Sequence, residues 1–262
     1  MEFHFGSNRI KVNMATGAEL MAEVRRRFRA GEGFALATIN LDHLVKLAVD
    51  PEFASAYAAQ DLVVADGRPI VALSRLAGRP VALLPGSDLV FPLAELAAEE
   101  AVPVALVGSS EAALADARRV LEGHAPGLSV VWIHAPPYGF DPRGAAAAAI
   151  LSELATRGVG LCFLALGAPR QEILAQRGRE LAPGVGFASV GAGLDFLGGH
   201  QVRAPRWMRR VGLEWLWRML SNPVRLVPRY ARCAAILPGQ VAAARRLRRT
   251  GSQIKSRTTR PR

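Results

Sequence analysis

Residues 62–69 read Leu62-Val63-Val64-Ala65-Asp66-Gly67-Arg68-Pro69. Four apolar residues followed by Asp-Gly are typical of a buried strand that ends in a sharp turn. Open α/β sheets bind their ligands beyond the carboxyl ends of their strands. The stretch therefore predicts a carboxylate, Asp66, at the mouth of a cleft, although the same pair also serves as an ordinary turn without any chemical role.

A second apolar run, Phe34–Ile39, leads into Thr38-Ile39-Asn40, whose polar side chains would reach the same crevice. From Phe34 to Val190, strand-like runs alternate with helical patterns. This alternation predicts an α/β fold, a parallel Rossmann-like sheet with helices on both faces. We expect residues 1–202 to form this domain, with Ser87 as the cap of one helix and Asp141-Pro142 at the start of another.

Two glycine-containing turns bear on nucleotide binding. Gly108-Ser109-Ser110 lies between a strand and a helix, where free backbone N–H groups can bind a phosphate, but the lysine of a P-loop is missing. Gly191-Ala192-Gly193 has the spacing of the first two glycines of the dinucleotide fingerprint, and Phe196 occupies the third position. The second turn therefore argues against a Rossmann dehydrogenase.

Length and composition exclude several classes of protein. The chain has 262 residues, of which 50% are hydrophobic, so it is not disordered throughout. No apolar run reaches the roughly 18 residues that suggest a membrane span, and residues 1–13 lack the apolar region of a signal peptide. Two cysteines make neither a disulfide framework nor a metal site. We therefore expect a cytoplasmic protein.

Charge is distributed unevenly along the chain. From Arg203 onward there are 16 Lys or Arg residues and one acidic residue, whereas the preceding residues carry 17 basic and 21 acidic residues. A mildly acidic body with a strongly cationic end predicts an anionic partner for that end, which can be phospholipid, a phosphate-bearing substrate or nucleic acid.

The cationic end begins with predicted helices over residues 203–244. Trp207, Val211, Trp215 and Met219 recur along one stripe of the first helix, and Pro228 and Pro238 are expected to kink or interrupt the second. Tryptophan, leucine and arginine together are typical of a helix that lies on an anionic membrane surface. An ordinary amphipathic helix packed on the body is the alternative. Residues 245–262 are expected to form a basic, disordered tail.

Several motifs along the chain carry a resemblance when they are taken together. They are Thr38-Ile39-Asn40, Ala65-Asp66-Gly67, Gly86-Ser87-Asp88-Leu89, Gly167-Ala168-Pro169-Arg170-Gln171-Glu172, and the series Arg203-Ala204-Pro205, Gly212-Leu213-Glu214-Trp215, Arg218, Pro223, Arg225 and Arg229-Tyr230. In this order and spacing, from about residue 8 to 235, the chain resembles the WecG/TagA/CpsF family of glycosyltransferases.

The resemblance implies an inverting, UDP-sugar-dependent glycosyltransferase. Such an enzyme moves N-acetylmannosamine, its uronic acid or a related hexose onto an undecaprenyl-diphosphate-linked sugar, for cell-surface polysaccharide, at the inner face of the cell membrane. It implies no metal and no cofactor besides the donor. The implied partners are the UDP-sugar, the polyprenyl-diphosphate-linked acceptor and an anionic membrane surface, with a possible homo-oligomer.

The resemblance also implies roles for individual residues. Asp66 would be the catalytic base. Thr38, Asn40 and Gln171 would hydrogen-bond the sugars, and Asp195 would help to hold the nucleotide sugar. Arg218, Arg225 and Arg229 would neutralise the diphosphate that leaves.

Two other classes of function are compatible with parts of the sequence. A nucleic-acid-binding protein would use the cationic end, but the tryptophans have the spacing of a helix core and no standard binding motif occurs, so no nucleic-acid partner is expected. A nucleotide-binding module without catalysis could use the same sheet. Replacement of Asp66 with Asn separates that module from a transferase, because only the transferase would lose turnover.

Overall fold

A computed structural model describes residues 1–200, 204, 205, 207, 208 and 213–258, except for the side chains of residues 218, 225 and 251–258. The strands are β1 (Glu2–Phe5), β2 (Asn8–Lys11), β3 (Phe34–Ile39), β4 (Leu62–Ala65), β5 (Val104–Gly108), β6 (Val130–His134), β7 (Leu161–Ala165) and β8 (Gly186–Ser189). The helices are α1 (Gly17–Ala30), α2 (Leu41–Val49), α3 (Pro51–Ala58), α4 (Arg68–Leu76), α5 (Gly86–Glu99), α6 (Glu111–His124), α7 (Ala145–Thr156), α8 (Arg170–Leu181), α9 (Gly193–Leu197), α10 (Glu214–Ser221) and α11 (Pro223–Thr258).

The centre of the fold is a six-stranded parallel sheet. Its strand order is β4-β3-β8-β7-β5-β6, and β1 and β2 form a separate antiparallel hairpin. Because every strand of the large sheet is parallel, all six carboxyl ends lie along one edge. The predicted α/β architecture is confirmed.

Helices cover both faces of the sheet, as continuous apolar strands require. The helices α1, α5 and α6 pack their apolar sides on one face. On the other face, α7 and α8 cover the strands near the middle, while α2, α3, α4, the hairpin and α11 cover the end of the sheet that holds β4. The carboxyl edge between these two layers is left for the turns that carry the candidate site.

Two predicted helix starts are wrong by a few residues. We expected Asp141-Pro142 to open α7, but this helix begins at Ala145, because the Asp141 side chain accepts a hydrogen bond from the Arg143 N–H at 2.9 Å and makes a local turn. Ser87, expected as the cap of α5, lies instead in its first turn after Pro85.

A long helix, α11, forms much of the C-terminal part and is not interrupted at its prolines. The helix α11 continues through Pro228, Pro238 and the expected boundary at Arg245. Each proline removes one backbone donor, but the helix packs on α2 and α4, and Ala244 is fully buried there. Packing therefore outweighs the local helix-breaking tendency. The division into a catalytic and a membrane-associating part stays a prediction.

Candidate active site

Asp66 and Asn40 lie side by side at the carboxyl edge of the sheet. In the register of β3 and β4, Ile39 pairs with Ala65, so the next residue of each strand enters the same turn region. The Asp66 N–H donates to the Ile39 carbonyl at 2.7 Å, and the Asn40 Nδ2 donates to the Asp66 Oδ2 at 3.4 Å. Both side chains are partly exposed. The structure thus brings together the two strand-end residues that the sequence placed in one crevice.

The glycine after Asp66 turns the chain away from the sheet. Gly67 has a φ of +100°, a conformation that side chains with a Cβ rarely adopt. It allows α4 to begin at Arg68, immediately after the carboxylate. Asp66 is therefore held at a sharp strand-to-helix turn.

Asn40 has a second role as the N-cap of α2. Its Oδ1 accepts from the His43 N–H at 3.1 Å, and its own N–H donates to the His43 Nδ1 at 3.3 Å. This reciprocal capping box fixes the backbone and the side chain of Asn40 together. The Asn40 amide that contacts Asp66 is consequently oriented by His43.

Thr38 is buried under the edge beside the start of α5. Its hydroxyl donates to the Ser189 carbonyl at 3.4 Å. A Cβ added to Gly86 would lie 3.3 Å from the Thr38 Oγ1 and 3.2 Å from the Val190 carbonyl oxygen. A side chain at this position would therefore require its neighbours to shift by a few tenths of an ångström.

Gln171 and Glu172 lie in the first turn of α8, below the carboxyl edge of the sheet. Gln171 is 3% exposed and donates its Nε2 to the Glu172 Oε1 at 2.9 Å. Glu172 is completely buried, and its Oε1 lies 3.9 Å from the Nε2 of His43. Burial raises the pKa of Glu172 to about 7 and lowers the pKa of His43 to about 3. The histidine is therefore neutral near neutral pH, and the carboxyl group is poised between its two forms.

The sequence alone indicated no role for Glu172, His43 or Tyr57. An acidic residue in the first turn of a helix normally complements the helix dipole, so Glu172 gave no special signal. Tyr57 is fully buried beside His43, with ring centroids 5.7 Å apart. Burial, and then the charges of Glu172 and Asp66, raise the pKa of Tyr57 well above its usual range. The shared burial of these three residues is apparent only in the folded structure.

Asp195 lies in α9, the helix that follows β8. Along the carboxyl edge of the sheet, Asp195 and Asp66 are on opposite sides of β8. Ser109 donates its hydroxyl to the Asp195 Oδ1. Ser109 follows Gly108, whose φ of +122° and whose close approach to the Ala165 backbone require a glycine. This turn is the one that the sequence indicated as a weak phosphate site, and it carries the contact to Asp195.

A cleft of about 430 Å³ opens further along the same edge, between α6 and the end of β6. Its lining includes Glu111, Ile133 and His134. The cleft lies on the Ser109 side of the sheet and is separate from Asp66. The carboxyl edge therefore carries the Asp66 carboxylate at one position and a cleft at another.

Of the three predicted diphosphate ligands, only Arg229 has a described side chain, and those of Arg218 and Arg225 lie outside the described residues. The Arg229 Nε is 3.0 Å from the Asp42 Oδ1. Lys46 also contacts Asp42, at 3.1 Å, and donates to the Ala168 carbonyl at 3.0 Å. Burial raises the pKa of Asp42, but the charges of Arg229 and Lys46 outweigh burial, and the pKa lies below its usual range.

Arg229 joins α11 to the first turn of α2, and Lys46 joins α2 to the loop before α8. Asp42 is two residues from Asn40, so Arg229 docks close to the capping box. We find no convergent group of three or more His, Cys, Asp or Glu side chains in the described part of the chain. Metal independence stays a prediction. Among the described helices, none is long and apolar enough to cross a membrane.

The model of the Glycosyl transferase WecG/TagA/CpsF family matches residues 7–251. The chain belongs to the WecG/TagA/CpsF family of glycosyltransferases. The matched region includes the whole sheet, the carboxyl-edge residues and most of α11. The chain is therefore a glycosyltransferase, which implies a sugar donor and an acceptor, and the resemblance noted in the sequence is confirmed.

Proposed function

We propose that this glycosyltransferase moves a sugar, N-acetylmannosamine, its uronic acid or a related hexose, from a UDP-sugar to a polyprenyl-diphosphate-linked sugar with inversion at the anomeric carbon. The proposal rests on the hydrogen-bonded pair Asn40–Asp66. The pair holds a partly exposed carboxylate at the ligand-binding edge of the sheet, in a chain whose family transfers sugars. The acceptor and the inner membrane face are part of the same proposal.

Asp66 is the proposed general base. Its carboxylate takes the proton from the acceptor hydroxyl as the hydroxyl oxygen attacks the anomeric carbon. The bond from that carbon to the UDP oxygen breaks on the opposite face, and UDP leaves with the bonding electron pair. One displacement of this kind inverts the configuration. The amide of Asn40 supports the role, because its hydrogen bond orients the carboxylate.

The donor is proposed to lie along the carboxyl edge, with its sugar near Asp66 and its nucleoside toward Asp195. Thr38, Asn40 and Gln171 are the proposed sugar contacts, although Thr38 and Gln171 are buried. The Ser109–Asp195 pair and the neighbouring cleft of about 430 Å³ support a nucleoside on that side, since a cleft of this size suits a small ligand.

Arginine side chains from the C-terminal helices are proposed to stabilise the leaving diphosphate. Guanidinium groups form short, charge-assisted hydrogen bonds to phosphate oxygens and stabilise negative charge where it develops. The docking of Arg229 near the start of α2 supports its role. We assign the same role to Arg218 and Arg225 from the family resemblance alone.

The cationic C-terminal region is proposed to bring the enzyme to an anionic membrane surface, where a polyprenyl-linked acceptor resides. Exposed Trp207, Trp215 and Leu220 accompany the basic residues there. Apolar and cationic side chains on one region favour adsorption to anionic lipid. Self-association through this region also belongs to the proposal.

The test is UDP release from a panel of UDP-sugars, with and without a polyprenyl-diphosphate-sugar analogue, in buffer that contains EDTA. The proposal predicts release from one donor that depends on the acceptor and persists in EDTA. Release that requires an added divalent ion would contradict metal independence. Binding of UDP without turnover on any donor and acceptor pair would favour a nucleotide-binding module.

A further inference from the structure

A buried polar cluster lies beneath the candidate site. We define the Glu172 cluster as Glu172, Gln171, His43, Tyr57 and Gln60. Gln171 donates to the Glu172 Oε1 at 2.9 Å, and the Gln60 Nε2 donates to the Glu172 carbonyl at 3.0 Å. All five side chains are buried. Polar groups in such a place are costly unless they are hydrogen-bonded, and a hydrogen-bonded network makes its surroundings rigid.

The contacts of His43 link this cluster to the proposed base. The Asn40 N–H donates to the His43 Nδ1, so that nitrogen must carry a lone pair. The proton of the neutral ring is then on Nε2, which faces the Glu172 Oε1 at 3.9 Å. Glu172 thus contacts Gln171 directly. One imidazole ring, at 3.9 Å and without a direct hydrogen bond to Glu172, lies between it and Asn40, which contacts Asp66.

The polar atoms of the cluster favour a protonated Glu172. Its Oε2 and the Tyr57 hydroxyl are both buried and have no hydrogen-bond partner among the described residues. A proton on the carboxyl group removes the cost of burying a charge and supplies a donor among these atoms. The titratable groups that face it are His43 and Lys46 from α2 and Tyr57 from α3, with Asp66 beyond Tyr57. Burial raises the pKa of Glu172 to about 7, which agrees with this arrangement.

We propose that Glu172 is a positioning residue for the sugar transfer, and that its protonated form orients Gln171 directly and Asn40 and Asp66 through His43. The inference rests on the proposed function and deepens it. Ionisation of Glu172 would place an unbalanced charge in the buried cluster, which draws the Gln171 amide and the His43 N–H toward it. The site would then lose its alignment as the pH rises.

The test compares Glu172→Gln with Glu172→Ala. The glutamine keeps an oxygen that accepts from Gln171 and cannot ionise, so its kcat/KM at pH 6 to 7 should stay within about threefold of wild type. Its activity should also lack the decline that the wild type shows as Glu172 loses its proton. The alanine variant removes the acceptor and should lose roughly tenfold to a hundredfold in kcat/KM. Glu180→Gln is the matched control, because Glu180 is exposed on the same helix.

Infrared difference spectroscopy of wild type against Glu172→Gln reads the proton directly. The proposal expects a protonated carboxyl band below about pH 7 that fades above it. Absence of that band near pH 6 would overturn the proposal, and so would a Glu172→Gln variant that keeps the wild-type alkaline decline. A wild type without transfer to any acceptor would contradict only the proposed function, since the infrared titration needs no substrate and still decides the state of Glu172.

Discussion

Asn40 has two roles that substitution can separate. Its Oδ1 caps α2 by accepting the His43 N–H, and its Nδ2 donates to Asp66. Asn40→Ser keeps an oxygen that can cap the helix but has no donor that reaches Asp66. Asn40→Ala removes both functions. Asn40→Asp keeps the cap and places a second carboxylate beside Asp66.

The expected magnitudes follow from these contacts. Loss of an N-cap costs about 1 kcal/mol, so Asn40→Ala should be destabilised by about that amount, while Asn40→Ser should change stability by only a few tenths. In Asn40→Asp, two carboxylates at the observed 3.4 Å would repel by about 5 kcal/mol at an effective dielectric constant of about 20. Because both positions are partly exposed, screening should reduce this to roughly 1–2 kcal/mol.

Denaturant unfolding measures the first effect, and the pH profile of sugar transfer measures the second. Repulsion favours the protonated form of Asp66, so the acid limb of the activity profile of Asn40→Asp should move upward by about one pH unit. Asn40→Ser should lose activity with no such displacement. An Asn40→Ala variant as stable as wild type would contradict the capping role, and an unmoved acid limb in Asn40→Asp would contradict the link to Asp66.

Three further predictions concern the fold around the site. Gly108→Ala should cost about 3 kcal/mol or more in unfolding free energy, because Gly108 has a positive φ and an added Cβ would clash with the backbone of β7. Gly123→Ala, in open space on α6, should stabilise the protein by up to about 1 kcal/mol. Equal effects of the two substitutions in denaturant titrations would refute this. Asp42→Asn should make α11 more sensitive to limited proteolysis, and a double-mutant cycle with Arg229→Gln should show a coupling of about 1 kcal/mol; purely additive effects would exclude the pair as a docking contact. His43 has a folded pKa of about 3, below its ordinary 6.5, so its contribution to stability is full above pH 6.5 and is lost as the pH falls toward 3. Over this range the wild type should lose up to about 5 kcal/mol in unfolding free energy relative to His43→Gln, a variant that can keep the capping box. Parallel curves of stability against pH for the two proteins would rule this out.

The sequence predicted the parts of the fold that local pattern controls. Apolar runs and the Asp-Gly turn identified β3 and β4, and because parallel strands end at one edge, the approach of Asn40 to Asp66 followed from the pattern. The helix start at Asp141 was wrong, since the same side chain that can cap a helix can also close a turn before one.

The remaining features depend on contacts between distant segments. Glu172 and His43 are 129 positions apart in the chain. Their proposed roles depend on their burial next to each other, which only the fold brings about. The basic composition after Arg245 suggested disorder, but Ala244 and Leu247 pack on the body and extend the helix. Arg229 was assigned from a resemblance, and nothing in its local sequence indicated Asp42 as its partner.

The role of Asp66 as general base is tested by a comparison of wild type with Asp66→Asn in two assays, acceptor-dependent UDP release and UDP binding by calorimetry. The substitution keeps the size of the side chain and removes the proton acceptor. If Asp66 is the base, turnover should fall by about a hundredfold or more while UDP affinity stays within a few-fold of wild type. Turnover close to wild type would show that Asp66 is not the base, and joint loss of turnover and UDP binding would assign it to nucleotide binding or folding.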